Sequence, residues 1–156
     1  MHPRLLLLSL LLGLSSTSLM AAEGAVELPI DLVANHGEYD ANAGIATYTG
    51  DVVVTQGEMR LTGDKVVLHT EEGEVIKIES WGKLATFHYV PQEDPPIDGK
   101  GGYMRYTVQN ALIYIEGNAY VKQEKNETYG DTLTYDLNKE FITGERVQMS
   151  FTPKTK

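Results

Sequence analysis

The chain has 156 residues, with 13 Lys+Arg against 22 Asp+Glu and a formal net charge of −9. That length is one domain's worth, and a chain this acidic is a poor match for a phosphate backbone. With no cysteine, disulfides, cysteine-ligated zinc and thiol nucleophiles are excluded.

Residues 1–22 read as a secretory signal peptide. Arg4 is the positive start, Leu5 to Leu14 the apolar stretch, and Ala21-Ala22 the small residues before cleavage. Leu5 to Ala22 is also 18 residues without a charge, so an uncleaved membrane anchor is the alternative. Removing residues 1–22 leaves an exported domain of 134 residues, 23–156, with net charge −10. An export signal without cysteine fits a bacterial periplasm better than a disulfide-rich secretome.

Beyond Ala22 the apolar residues recur with period two, the signature of strands. Leu28 to Ala34 reads as the first strand, with Pro29 and Asp31 blunting its edge. Ile45 to Gln56 follows, with Ala46, Tyr48, Val52 and Val54 on one face. Val66 and Leu68 mark the next strand, Ile76 and Ile78 another, and Ala85, Phe87 and Tyr89 a further one. Pro91 to Gly102 reads as a long loop or linker. Ile113, Ile115, Ala119 and Val121 then repeat the earlier pattern, and Leu133, Tyr135 and Leu137 follow. Val147, Met149 and Phe151 form an uncharged last strand, an unmasked edge on which another chain can pair.

The two halves, about 35–90 and 102–151, align without a gap at an offset of 67 residues. Tyr39, Gly50, Val54, Gln56, Gly63 and Asp64 match Tyr106, Gly117, Val121, Gln123, Gly130 and Asp131. Six identities in the 30 columns from Tyr39 to Leu68 exceed the roughly two expected by chance, so the chain reads as an internal repeat. Each half is small for an independent core, which favours one continuous stack. Glycines at fixed intervals suggest corners between two facing sheets. The fold class is therefore all-β, a twisted open roll of short antiparallel strands.

No enzyme constellation stands out. Ser80 and Ser150 are not in a nucleophile elbow. His36, His69 and His88 have no metal-ligand spacing. Glu71-Glu72 and Glu93-Asp94 are neighbours that would point to opposite strand faces. What remains is inward apolar surface, which is either plain core or a groove for acyl chains. Burying hydrocarbon gives about 0.8 kcal/mol per CH2, so such a groove needs no charged contact.

The run Thr47-Tyr48-Thr49-Gly50-Asp51-Val52-Val53-Val54-Thr55-Gln56-Gly57 resembles the signature of the OstA-like lipopolysaccharide transport family. So do Gly63-Asp64-Lys65-Val66-Val67, Gly82-Lys83-Leu84-Ala85-Thr86-Phe87 and Glu116-Gly117-Asn118-Ala119-Tyr120-Val121, in that order. The resemblance spans about Leu28 to Phe151 and implies a twisted β-jellyroll with an apolar interior. It implies a non-enzymatic periplasmic bridge that carries lipopolysaccharide, by its lipid A acyl chains, from inner to outer membrane. The implied partners are an LptC-like inner-membrane jellyroll, an LptD-like outer-membrane translocon and further copies of the chain, stacked head to tail. No cofactor and no metal are implied.

The family's lipid contacts fall here on Ile30, Leu32, Phe87, Tyr106 and Val108. The inward positions Tyr48, Val54 and Ile115 complete the expected slot. The expected partner edges are Leu28 and Ile30 at one end and Val147, Met149 and Phe151 at the other. Two departures from the family pattern are the short C-terminus after Phe151 and His88-Tyr89 at the groove's rim. The alternatives are a membrane-anchored partner in the same pathway and, in another class, a polysaccharide-acting β-helix enzyme. The latter would need convergent acids on one face.

Overall fold

The computed structural model describes residues 28–153; the expected signal peptide lies outside them. The elements are β1 (Asp31–Val33), β2 (His36–Asp40), β3 (Ile45–Gln56), β4 (Met59–Glu71) and β5 (Glu74–Tyr89). They continue as β6 (Ile97–Thr107), β7 (Leu112–Gln123), β8 (Asn126–Asp136), β9 (Phe141–Glu145) and β10 (Gln148–Ser150). All pair antiparallel in one sheet ordered β1-β3-β4-β5-β6-β7-β8-β10, with β2 also on β3 and β9 also on β8. The first and last strands are each in two pieces on one long neighbour. The fold is the all-β jellyroll that the strand pattern predicts.

The long strands share a fault line. Pairing shifts between Thr49 and Val52, Thr62 and Lys65, Trp81 and Ala85, Lys100 and Tyr103, and Glu116 and Ala119. Each shift falls at a glycine, and a bulge there bends a strand; Gly50, Gly63 and Gly117 are corners expected from the repeat, whereas Gly82 and Gly101-Gly102 are not. Gly50 and Asp51 have φ of 81 and 48; Gly117 and Asn118, 67 residues on, have 79 and 53. Two consecutive left-handed residues select Gly followed by Asp or Asn, which is the repeated dipeptide. Side chains then tie corner to corner: Lys83 N donates to Asp64 Oδ2 at 3.1 Å, and Arg146 pairs with Asp131.

The line divides the sheet into two leaves that face each other over one core. On the first leaf a cross-strand row runs from Leu32 through Val54, Leu61, Phe87 and Val121 to Met149. On the second, a row runs from Tyr39 through Leu68, Ile78, Tyr106 and Tyr135 to Ile142. Gly99 on the first leaf leaves room for Ile115 of the second, whose Cδ1 would lie 3.0 Å from a Cβ there.

Several sequence expectations are corrected. The first strand is Asp31–Val33 rather than Leu28 to Ala34, and the last is Gln148–Ser150 rather than Val147 to Phe151. The strands expected around Ile78 and around Phe87 are one, β5, bulged at Gly82. The expected loop from Pro91 to Gly102 ends at Pro96, because Ile97 is fully buried and starts β6. Pairing of β5 with β6 joins the two halves into a single sheet.

Candidate functional site: the apolar interior

The interior is built by alternation. On either side of the bulges alternate residues of the long strands point between the leaves, and they are mainly Val, Ile, Leu, Met, Ala, Phe and Tyr, with Ser80 and Thr128 buried beside them. Of the expected slot residues, Val54, Phe87, Tyr106 and Ile115 lie within this core. Ile30, Leu32, Tyr48 and Val108 are partly buried and pack against it. The structure thus brings all eight to one interior. In the middle that interior is filled by the protein itself: Val54 and Ile115 are 0% exposed and Phe87 2%.

Leu61, Ile78, Ile97, Met104 and Leu133 are equally buried interior residues that the sequence reading did not select as slot positions. The period-two signal covers Leu133 and Ile78, whereas Ile97 hides behind Pro95-Pro96.

The fold line closes one long side of the interior, and the hairpin turns form the other. There Tyr106 Oη on the second leaf donates to Gln56 Oε1 on the first at 3.4 Å. Gln56 Nε2 in turn donates to Leu28 O at 3.1 Å. Asp94, in the β5–β6 turn of the first leaf, and Glu140, in the β8–β9 turn of the second, meet at the same seam. Their contact raises the Glu140 carboxyl above its ordinary range.

The two ends of the interior are less covered than its middle. At the first edge Tyr39 is 59% exposed, and at the last Met149 is 45% exposed. Both belong to the inward rows. Leu28 and Phe151 are exposed beside them, as is Val147, while Ile30 is partly covered. Of the expected edge residues, Leu28, Ile30, Val147 and Phe151 fall outside regular strands, and Met149 is central in β10. β10 carries no charge.

The outer face is polar and cross-linked. Glu79 accepts from Tyr103 Oη at 2.6 Å and pairs with His69 at 2.6 Å and Lys77 at 3.5 Å. Burial alone would raise the Glu79 carboxyl. The hydrogen bonds from Tyr103 and His69 and the Lys77 charge outweigh it and hold the carboxyl below its ordinary value. Burial and the bond to Glu79 push the Tyr103 phenol up to about 12. Among the described residues no three His, Asp or Glu side chains gather as a metal site requires.

A single antiparallel sheet folded into two leaves over an apolar interior that reaches both free edges defines an open β-jellyroll. Comparison with known proteins gives the family. Residues 31–141 match the LptA/(LptD N-terminal domain) LPS transport protein family, and the chain belongs to it. The chain is 32% identical to the lipopolysaccharide export system protein LptA of Escherichia coli K12 over 144 residues, 91% of this chain and 75% of that one. It is 33% identical over 144 residues to LptH of Pseudomonas aeruginosa, covering 90% and 82%. The crystal structure of that LptH, described as the LptA-homologous periplasmic component of the lipopolysaccharide transport device, superposes with a TM-score of 0.74. The superposition has 30% identity and covers 81% of this chain and 96% of that one.

Proposed function

We propose that this chain is a non-enzymatic periplasmic carrier that holds lipopolysaccharide by its acyl chains between the two leaves. It passes the lipid edge to edge through stacked jellyrolls toward the outer membrane. The observation that carries this reading is the apolar interior, whose two inward rows reach both free edges of the sheet: one runs from partly covered Leu32 to exposed Met149, the other from exposed Tyr39 to partly covered Ile142. Ile30, Leu32, Tyr48, Val54, Phe87, Tyr106, Val108 and Ile115 contact the acyl chains. Leu28 and Ile30 receive one neighbour; Val147, Met149 and Phe151 reach the next. The neighbours are a second copy, an LptC-like jellyroll on the inner-membrane side and an LptD-like jellyroll on the outer. Residues 1–22 direct export and are removed.

Because the middle of the interior is filled, lipid enters by exchange. The leaves part along the seam of hairpin turns, and acyl contacts replace contacts between the leaves. Ten CH2 groups contribute about 8 kcal/mol of transfer free energy. A pair of like charges 4 Å apart in water costs about 1 kcal/mol. An acidic carrier can therefore hold an anionic glycolipid by its hydrocarbon. A photocrosslinking residue in place of Phe87 or Tyr106 should form an adduct with lipopolysaccharide, and one in place of outward-facing Trp81 should not. Absence of adducts at both inner positions would remove the assignment.

A further inference from the structure

Tyr135 lies on β8 in the inward row of the second leaf, between Ile113 and Ile142. It is 4% exposed, and its hydroxyl has no hydrogen-bond partner among the described residues. The other phenol buried in this row, Tyr106, has a partner in Gln56. An unpartnered hydroxyl in an apolar interior destabilises the fold that holds it. Phenylalanine would fill the same space without that cost. The hydroxyl therefore does nothing visible for the free protein.

Its position says what it could do for a bound one. Tyr135 lies toward the seam, where the charges of Glu140 and Asp94 act on it together with Tyr89. Burial and these acids push its phenol up to about 12, so it is a donor at neutral pH. The same two acids disfavour a phosphate at this place, and the apolar walls disfavour any charge. A neutral acceptor at the junction between a hydrocarbon chain and a polar head fits both conditions. An acyl carbonyl is such an acceptor.

We propose that Tyr135 is a specificity residue whose hydroxyl donates a hydrogen bond to an acyl carbonyl oxygen of the carried lipid. It thereby distinguishes acylated lipid from plain hydrocarbon. This rests on the reading that acyl chains lie between the leaves.

The test compares the exported protein with its Tyr135→Phe variant against two probes. One is lipopolysaccharide; the other is diphenylhexatriene, a hydrocarbon fluorophore without hydrogen-bonding atoms. Tyr135→Phe should weaken lipopolysaccharide binding by about five- to tenfold, the range of one neutral hydrogen bond. It should leave diphenylhexatriene binding unchanged and the melting temperature equal or higher. Equal lipopolysaccharide affinity in both proteins would overturn the inference and leave the carrier reading standing. A lower melting temperature in the variant would also overturn it, by showing that the hydroxyl has a partner in the free protein. Failure of the unmodified protein to bind lipopolysaccharide would overturn both. A 3-fluorotyrosine at 135, which keeps the hydroxyl, gives a second readout. Its 19F resonance should move on adding lipopolysaccharide and stay on adding diphenylhexatriene; an unmoved resonance with lipopolysaccharide overturns the inference.

Discussion

Gly63 shows how a single atom can be excluded. Its backbone does not require a positive φ; what it requires is space, because a Cβ would collide with Ser80 Oγ and lie 2.9 Å from the Trp81 carbonyl. Ser80 Oγ is itself fixed, donating to Thr62 O at 2.9 Å. Gly63→Ala should therefore destabilise by about 1–3 kcal/mol, the usual cost of overpacking, as read by urea unfolding. Adding Ser80→Ala should recover part of that loss, because the two changes share one contact. Glu79 gives a pH signature of known sign. Its carboxyl is held below its unfolded value of 4.5, so its contribution is complete above about pH 4.5 and is lost as pH falls through the lower folded value. Unfolding measured from pH 7 down to pH 3 should show Glu79→Gln less stable than the parent at pH 7. The gap should close in acid.

The corners shape the fold, and the proposed carrier places assembly at the edges. The bounds of β3 and the bulges at Gly50 and Gly117 were legible because alternation and a Gly-Asp or Gly-Asn pair are strong local signals. β2 was not legible, since all five of its residues are exposed and no apolar alternation marks it. β9, with one partly buried residue in five, is nearly as silent. Ile97 was missed because prolines precede it and glycines follow, the marks of a loop. Of the candidate site, period two marks Tyr48, Val54, Phe87 and Ile115, whereas Ile30, Leu32, Tyr106 and Val108 come from the family resemblance. The seam contacts, such as Tyr106 with Gln56, join residues 50 apart in sequence, and no local pattern encodes them. β10 is short, uncharged and paired on one side only. Met149→Pro should abolish head-to-tail association in light scattering while changing the stability of the single chain little. Self-association that persists in this variant would place the interface elsewhere.

At the scale of the whole molecule, the acidic balance and the lack of cysteine take on specific meaning. Without disulfides, the fold is held by the core that the carrier reading asks to open. Leu61, 0% exposed at the centre of the first leaf, should cost about 2–5 kcal/mol when cut to Ala, measured by denaturant unfolding. The same cavity should ease lipid entry, so Leu61→Ala is expected to lose stability without losing lipopolysaccharide binding. The central claim is that the lipid lies between the leaves, and the missing cysteines make it directly testable. Asp94→Cys and Glu140→Cys, exposed on opposite sides of the seam, can be joined by a short bis-maleimide without competing thiols. The account predicts that the unjoined double variant takes up lipopolysaccharide and the joined one does not. Equal uptake by both would contradict it.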